Sequence, residues 1–160
     1  MPAELPHWLV PSVLDRLLDA EDEPSAAAPG TSSRQWLAAL ERDLSDLLNT
    51  RCADGDELNH LPLARRSVLS YGLPDLASTE LDTQAQRDDF ARRLAETVAR
   101  HEPRLTDVRA VWLAPPPGSL PDRVRYRIEA RLQPEPAQRV SFDAVLDLRA
   151  TQIDVEATPS

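Results

Sequence analysis

Glu102 is the carboxylate in this 160-residue chain best placed for acid chemistry, because it stands where a helical pattern gives way to a strand pattern. Asp75 and Asp107 are its candidate partners. Cleaving a glycosidic bond needs two acids about 5 to 10 Å apart across a sugar-sized cleft, one with a raised pKa. Neither local spacing nor local sequence supplies that cleft, and aromatic residues make up only 4% of the chain. His7, His60 and His101 are widely separated and have no close-spaced histidine or cysteine companion, so they form no zinc-type ligand set. Ser67 and Ser70 lack a nucleophile elbow, and the four glycines include no nucleotide-binding loop. The chain has no lysine, which excludes lysine-based covalent catalysis and a phosphate-loop lysine. No catalytic residue, cofactor or metal is therefore expected.

Glu102-Pro103-Arg104 then reads as an orienting device. Glutamate accepts hydrogen bonds from backbone donors or from arginine, proline fixes the bend, and arginine offers a planar fork of five donors. The trio either holds a helix-to-sheet junction inside one chain or presents that junction to another protein.

The 27 acidic against 18 basic residues give a formal charge of -9. An open nucleic-acid surface is disfavoured by that balance, and a protein or assembly partner suits it better. Cys52 is the single cysteine, so no internal disulfide or thiolate cluster is available. The N-terminus lacks signal-peptide order and no apolar run approaches membrane-spanning length. The expectation is a cytoplasmic protein without direct membrane insertion.

Positioning elements follow from periodicity. Val10, Val13, Leu14, Leu17 and Leu18 recur at helical spacing. An acidic and then Ala/Ser/Pro/Gly-rich stretch through Ser33 follows, which buries too little apolar area to offset its ordering entropy and reads as a linker. The leader helix is thus either a packed arm or a peptide for a partner. Residues 1–32 are assigned to this helix and linker, 33–156 to one domain, and 157–160 to a mobile tail.

Trp36, Leu37, Leu40, Leu44, Leu47 and Leu48 predict the first domain helix from Ser33. Tyr71-Gly72-Leu73-Pro74 reads as a fixed apolar turn, with Gly72 free to adopt positive φ and Pro74 disfavouring α geometry at Leu73. A second helix runs from Thr83 to about His101 and is stopped by Pro103. Its Arg87, Asp88, Asp89, Arg92, Arg93 and Glu96 are expected to face solvent. Period-two segments follow at Val108–Ala114, apolar on both faces and so a candidate central strand, then at Val124–Leu132, Val140–Leu148 and, briefly, Ile153–Val155. The predicted class is α+β, with two principal helices packed on a small, mainly antiparallel sheet of three or four strands.

Three segments in order, Arg65-Arg66-Ser67-Val68-Leu69, Ser70-Tyr71-Gly72-Leu73-Pro74-Asp75-Leu76 and His101-Glu102-Pro103-Arg104-Leu105, resemble the TssE family of type VI secretion baseplate proteins, relatives of the small wedge protein of contractile phage tails. The resemblance begins near Pro11–Leu17 and runs from about Trp36 to Val155. It implies a noncatalytic wedge subunit assembled with TssF, TssG and TssK near the inner-tube hub. By the same resemblance the sheet is similar to the sheath handshake domain and would template the first ring of TssB and TssC. Interface roles are implied for Leu14, Leu17, Tyr71, Leu73, Pro74, Asp75, Glu102, Pro103 and Arg104. Alternatives are the wedge of a phage or phage-derived tail and, less favoured, a peptidoglycan hydrolase. The Pro115-Pro116-Pro117-Gly118 turn and the acidic linker depart from the family pattern.

Overall fold

The computed structural model describes residues 33–52, 60–61, 63–64, 67–76, 79–116, 118, 122–133 and 138–158. The expected leader helix, with Leu14 and Leu17, lies outside the described residues. The chain divides into two compact units, Met1–Asp43 and Leu44–Ser160. The described part of the first unit is helical and carries buried Trp36 and Leu40.

Helix α1 spans Ser33–Asn49, and within the second unit its Leu44, Leu47 and Leu48 are buried. These positions recur three to four residues apart, the spacing of one helical face. Helix α2 spans Gln84–His101 and starts at a capping box: Thr83 Oγ1 accepts from Gln86 N while Gln86 Oε1 accepts from Thr83 N. Phe90, Ala91, Leu94, Thr97 and Val98 form its buried stripe.

Four strands follow, β1 Leu105–Leu113, β2 Arg123–Leu132, β3 Arg139–Asp147 and β4 Gln152–Thr158. They form one antiparallel sheet in the order β1-β2-β3-β4. Helix α2 packs along β1, and its Phe90 ring lies 5.2 Å from that of Tyr126 on β2. Ile128, Phe142, Leu146 and Ile153 complete the buried face of the sheet. This is the α+β fold expected, with four strands rather than three.

Two details differ from expectation. Strand β1 is an edge, not a central strand. Its second apolar face arises because Val111 and Leu113 sit in register with Arg127 and Arg125 on the outer face, where Val111 remains 51% exposed. Strand β4 continues to Thr158, which pairs with Ser141, and so extends beyond Val155.

The outer face is a charge lattice. Arg127 donates to both oxygens of Asp143, Nε to Oδ1 at 2.8 Å and Nη2 to Oδ2 at 3.1 Å, and Arg125 Nη2 adds a contact to Oδ2 at 3.1 Å. Arg123 faces Asp147 at 3.5 Å and Arg131 faces Asp107 at 3.3 Å. Cross-strand opposite charges of this kind fix register. The Arg127 hydrogen bonds, with further help from the charges of Arg127 and Arg125, hold the Asp143 carboxyl below its ordinary range.

A depressed carboxylate stabilises the fold above its unfolded pKa, and that contribution disappears as pH falls through the folded value. Asp143→Asn should therefore lose about 1 to 2 kcal/mol near neutral pH in urea melts. The gap to wild type should be flat above about pH 5 and close below about pH 4. A gap unchanged down to acid pH would reject the ion-pair account.

Candidate assembly site

The helix-to-sheet junction is held by its own residues. Glu102 caps α2, its N–H donating to Val98 O at 2.8 Å. Its carboxylate is grasped by Arg104 from three donors: the backbone N–H at 3.1 Å, Nε at 2.7 Å, and Nη2 in a further close contact. The Glu102 side chain is only 8% exposed, whereas Arg104 retains 23%. Leu105 N donates to Glu102 O at 3.1 Å, and Gln133 N donates to Arg104 O at 2.8 Å. One turn thus ties helix α2 to the start of β1 and the end of β2, with exposed Pro103 at its apex. The packed-junction role is met within this chain.

The second motif docks on the end of α1. Leu73 N donates to Thr50 O at 2.9 Å, and Cys52 N donates to Leu73 O at 3.0 Å, forming a parallel bridge between Arg51 and Leu73. Gly72 has φ of 107°, and a Cβ there would stand 2.1 Å from Thr50 O. Leu73 and Leu76 are buried, Pro74 is half-buried, and exposed Asp75 pairs with Arg51. His101 joins the two motifs. Its Nε2 lies 2.8 Å from Ser70 O, and its ring meets that of Tyr71 edge-on at 5.3 Å between centroids.

The three candidate acids do not share either of two concavities formed by the described residues. Asp75 lines a concavity of about 530 Å³ against the first half of α2. Asp107 lines another of about 440 Å³ on the outer sheet face. Glu102 lines neither of these, and both its oxygens are occupied by Arg104. Among the described residues, no cluster of three or more His, Cys, Asp or Glu side chains could hold a metal ion. No described helix is long and apolar enough to cross a membrane.

Three residues escaped sequence reasoning. Arg87, expected in solvent, turns back to donate to Leu81 O at 2.8 Å and Asp82 O at 2.9 Å, with its guanidinium 4.8 Å from the Trp112 ring centroid. Arg51 ties the docked turn to the β3–β4 connection through Thr151 Oγ1 at 3.1 Å. Asn49 binds the backbone of β4 with both ends of its amide, Nδ2 donating to Ile153 O at 2.8 Å and Oδ1 accepting from Ile153 N at 2.9 Å. Only the position of Asn49 at a helix terminus hinted at any of this, since such partners are set by tertiary placement.

Residues 34–137 match the family described as baseplate wedge protein gp25. The chain belongs to that family. No curated protein and no solved structure matches it. In this gp25-family chain the matched stretch holds both motifs and the first two strands, while β3 and β4 lie beyond it. Membership makes the protein a structural baseplate component that contacts other baseplate components.

Exposure in front of the Tyr71 turn fits such a role. Leu63 is 85% and Val68 82% exposed, with Leu61 and Leu69 about half exposed.

Proposed function

We propose that this chain is the TssE-type wedge subunit of a type VI secretion system, noncatalytic, working on the cytoplasmic side of the machine. The family match supports the wedge role, and the resemblance of the three segments to TssE favours the secretion branch. Its partners in this reading are TssF, TssG and TssK, with the inner-tube hub nearby. TssB and TssC are recruited through the open edge of the sheet. Tyr71, Leu73, Pro74 and Asp75 present one contact region, with Leu73 acting through the shape of the turn because its side chain is buried. Glu102, Pro103 and Arg104 present another, through exposed Pro103 and the exposed part of Arg104.

In the same reading, residues 1–32 form a leader whose Leu14 and Leu17 enter an apolar groove on another wedge subunit. The wedge domain begins at residue 33 and, because β4 runs through Thr158, reaches past the expected boundary at 156 into what was assigned to the tail. The wedge of a phage-derived tail is the second reading, because the same family match supports it. Neighbouring genes separate the two.

Affinity purification from the native cell at endogenous level, followed by mass spectrometry, tests the role. Baseplate and sheath proteins should be recovered, and their absence would reject it. Deleting residues 1–22 should weaken that recovery while leaving the melting of the domain unchanged. Unaltered wedge recovery would reject the docking role of Leu14 and Leu17.

A further inference from the structure

Strand β4 is an edge, and in an antiparallel ladder alternate residues turn their backbone N–H and C=O away from the paired neighbour. Because Ile153 gives both groups to Asn49, the residues that turn outward are Ile153, Val155 and Ala157. Asn49 mimics a paired peptide unit at Ile153 and closes the edge there. Among the described residues, Val155 and Ala157 keep open donors and acceptors.

Charge on the outer face indicates what a fifth strand would carry. On β2 the arginines at 123, 125 and 127 alternate with inward residues and neutralise Asp143 and Asp147 of β3. Strand β4 continues the acidic side of this lattice with exposed Asp154 and Glu156. Among the described residues neither acid has an ion-pair partner. A strand alternating apolar and basic residues would bury its apolar face beside Val155 and set cations beside those two acids, repeating the β2–β3 pattern.

We infer that the β4 edge accepts an extended segment of alternating apolar and basic residues, in a register that starts at Val155 because Asn49 seals Ile153. The inference rests on the strand-addition reading above and names the chemistry of the strand.

The probe is a short synthetic peptide alternating valine with arginine, compared with a matched peptide carrying glutamate, added to the ¹⁵N-labelled full chain. Amide exchange should slow at Val155 and Ala157, and the arginine peptide should bind about tenfold more tightly than the glutamate peptide. Reversing the two acids, as Asp154→Arg with Glu156→Arg, should invert that preference. In Asn49→Ala the Ile153 amide should exchange quickly in the free protein and join the protected set when peptide is added.

Equal binding of both peptides, or protection away from β4, would overturn the inference. So would protection of Ile153 by peptide in the wild type with loss of its Asn49 bonds. If peptide discrimination fails while baseplate and sheath proteins still co-purify, the strand chemistry falls and the wedge role stands. If discrimination holds without co-purification, the wedge role falls alone.

Discussion

Gly72→Ala should cost about 3 kcal/mol or more in denaturant melts, the largest loss from any single methyl group added to the Tyr71 turn. Two effects combine. The backbone has φ of 107°, a region that L side chains rarely adopt, and the new carbon would meet the Thr50 carbonyl at 2.1 Å. That carbonyl cannot retreat cheaply, because it accepts the Leu73 N–H at 2.9 Å. Relief of the clash would break the Arg51–Leu73 bridge and with it the pairing of Asp75 to Arg51. Gly118 is the control. Its φ is 84° but nothing lies within 4 Å of its Cβ position, so Gly118→Ala should cost only about 1 to 2 kcal/mol of local strain. Equal losses at the two positions would mean that the turn is not docked on Thr50.

Arg104→Ala should be the second large effect, about 2 to 4 kcal/mol, because it strips the guanidinium from a carboxylate that is only 8% exposed. Arg92 is 66% exposed in an ion pair one turn away from Asp89 on α2, and Arg92→Ala should cost about 0 to 1 kcal/mol. The assembly role is then measured separately, on both variants at a temperature where each is folded, as binding to isolated wedge partners. A larger binding loss for Arg104→Ala supports an interface at this junction. Equal losses for the two folded variants would confine Glu102 and Arg104 to holding helix α2 on the sheet.

Both helices and strands β2 and β3 were legible because each carries a clean period, whereas β1 and β4 were legible only as short apolar segments. Leu44, Leu47 and Leu48 mark a helical face, and β2 alternates arginine with inward Tyr126, Ile128, Ala130 and Leu132. The helix stop at Pro103 was legible from proline's missing donor. The place of β1 was not, because an apolar residue flanked by long arginine stems on a sheet surface has the same local pattern as one in a core. The end of β4 was obscured by Glu156, whose outward charge is compatible with either a strand or a tail. The chemistry of Glu102 and Arg104 marked them as an orienting pair around Pro103, and the structure pairs the two with each other. Asn49 and Arg87 were missed because their partners lie on backbone segments that only the folded chain brings near.

The outward direction of Ala157 gives the most direct test of strand addition. Asp154 spends its own backbone groups on Val145 of β3, so proline there would damage the sheet itself. Ala157→Pro removes an outward donor and leaves the ladder to β3 intact. With circular dichroism and wedge-partner binding held at wild-type values, sheath polymerisation from purified TssB and TssC should be followed on assembled wedges. The account predicts that wild type nucleates sheath and that folded, wedge-bound Ala157→Pro does so at a small fraction of that rate. Normal nucleation by that variant would contradict it.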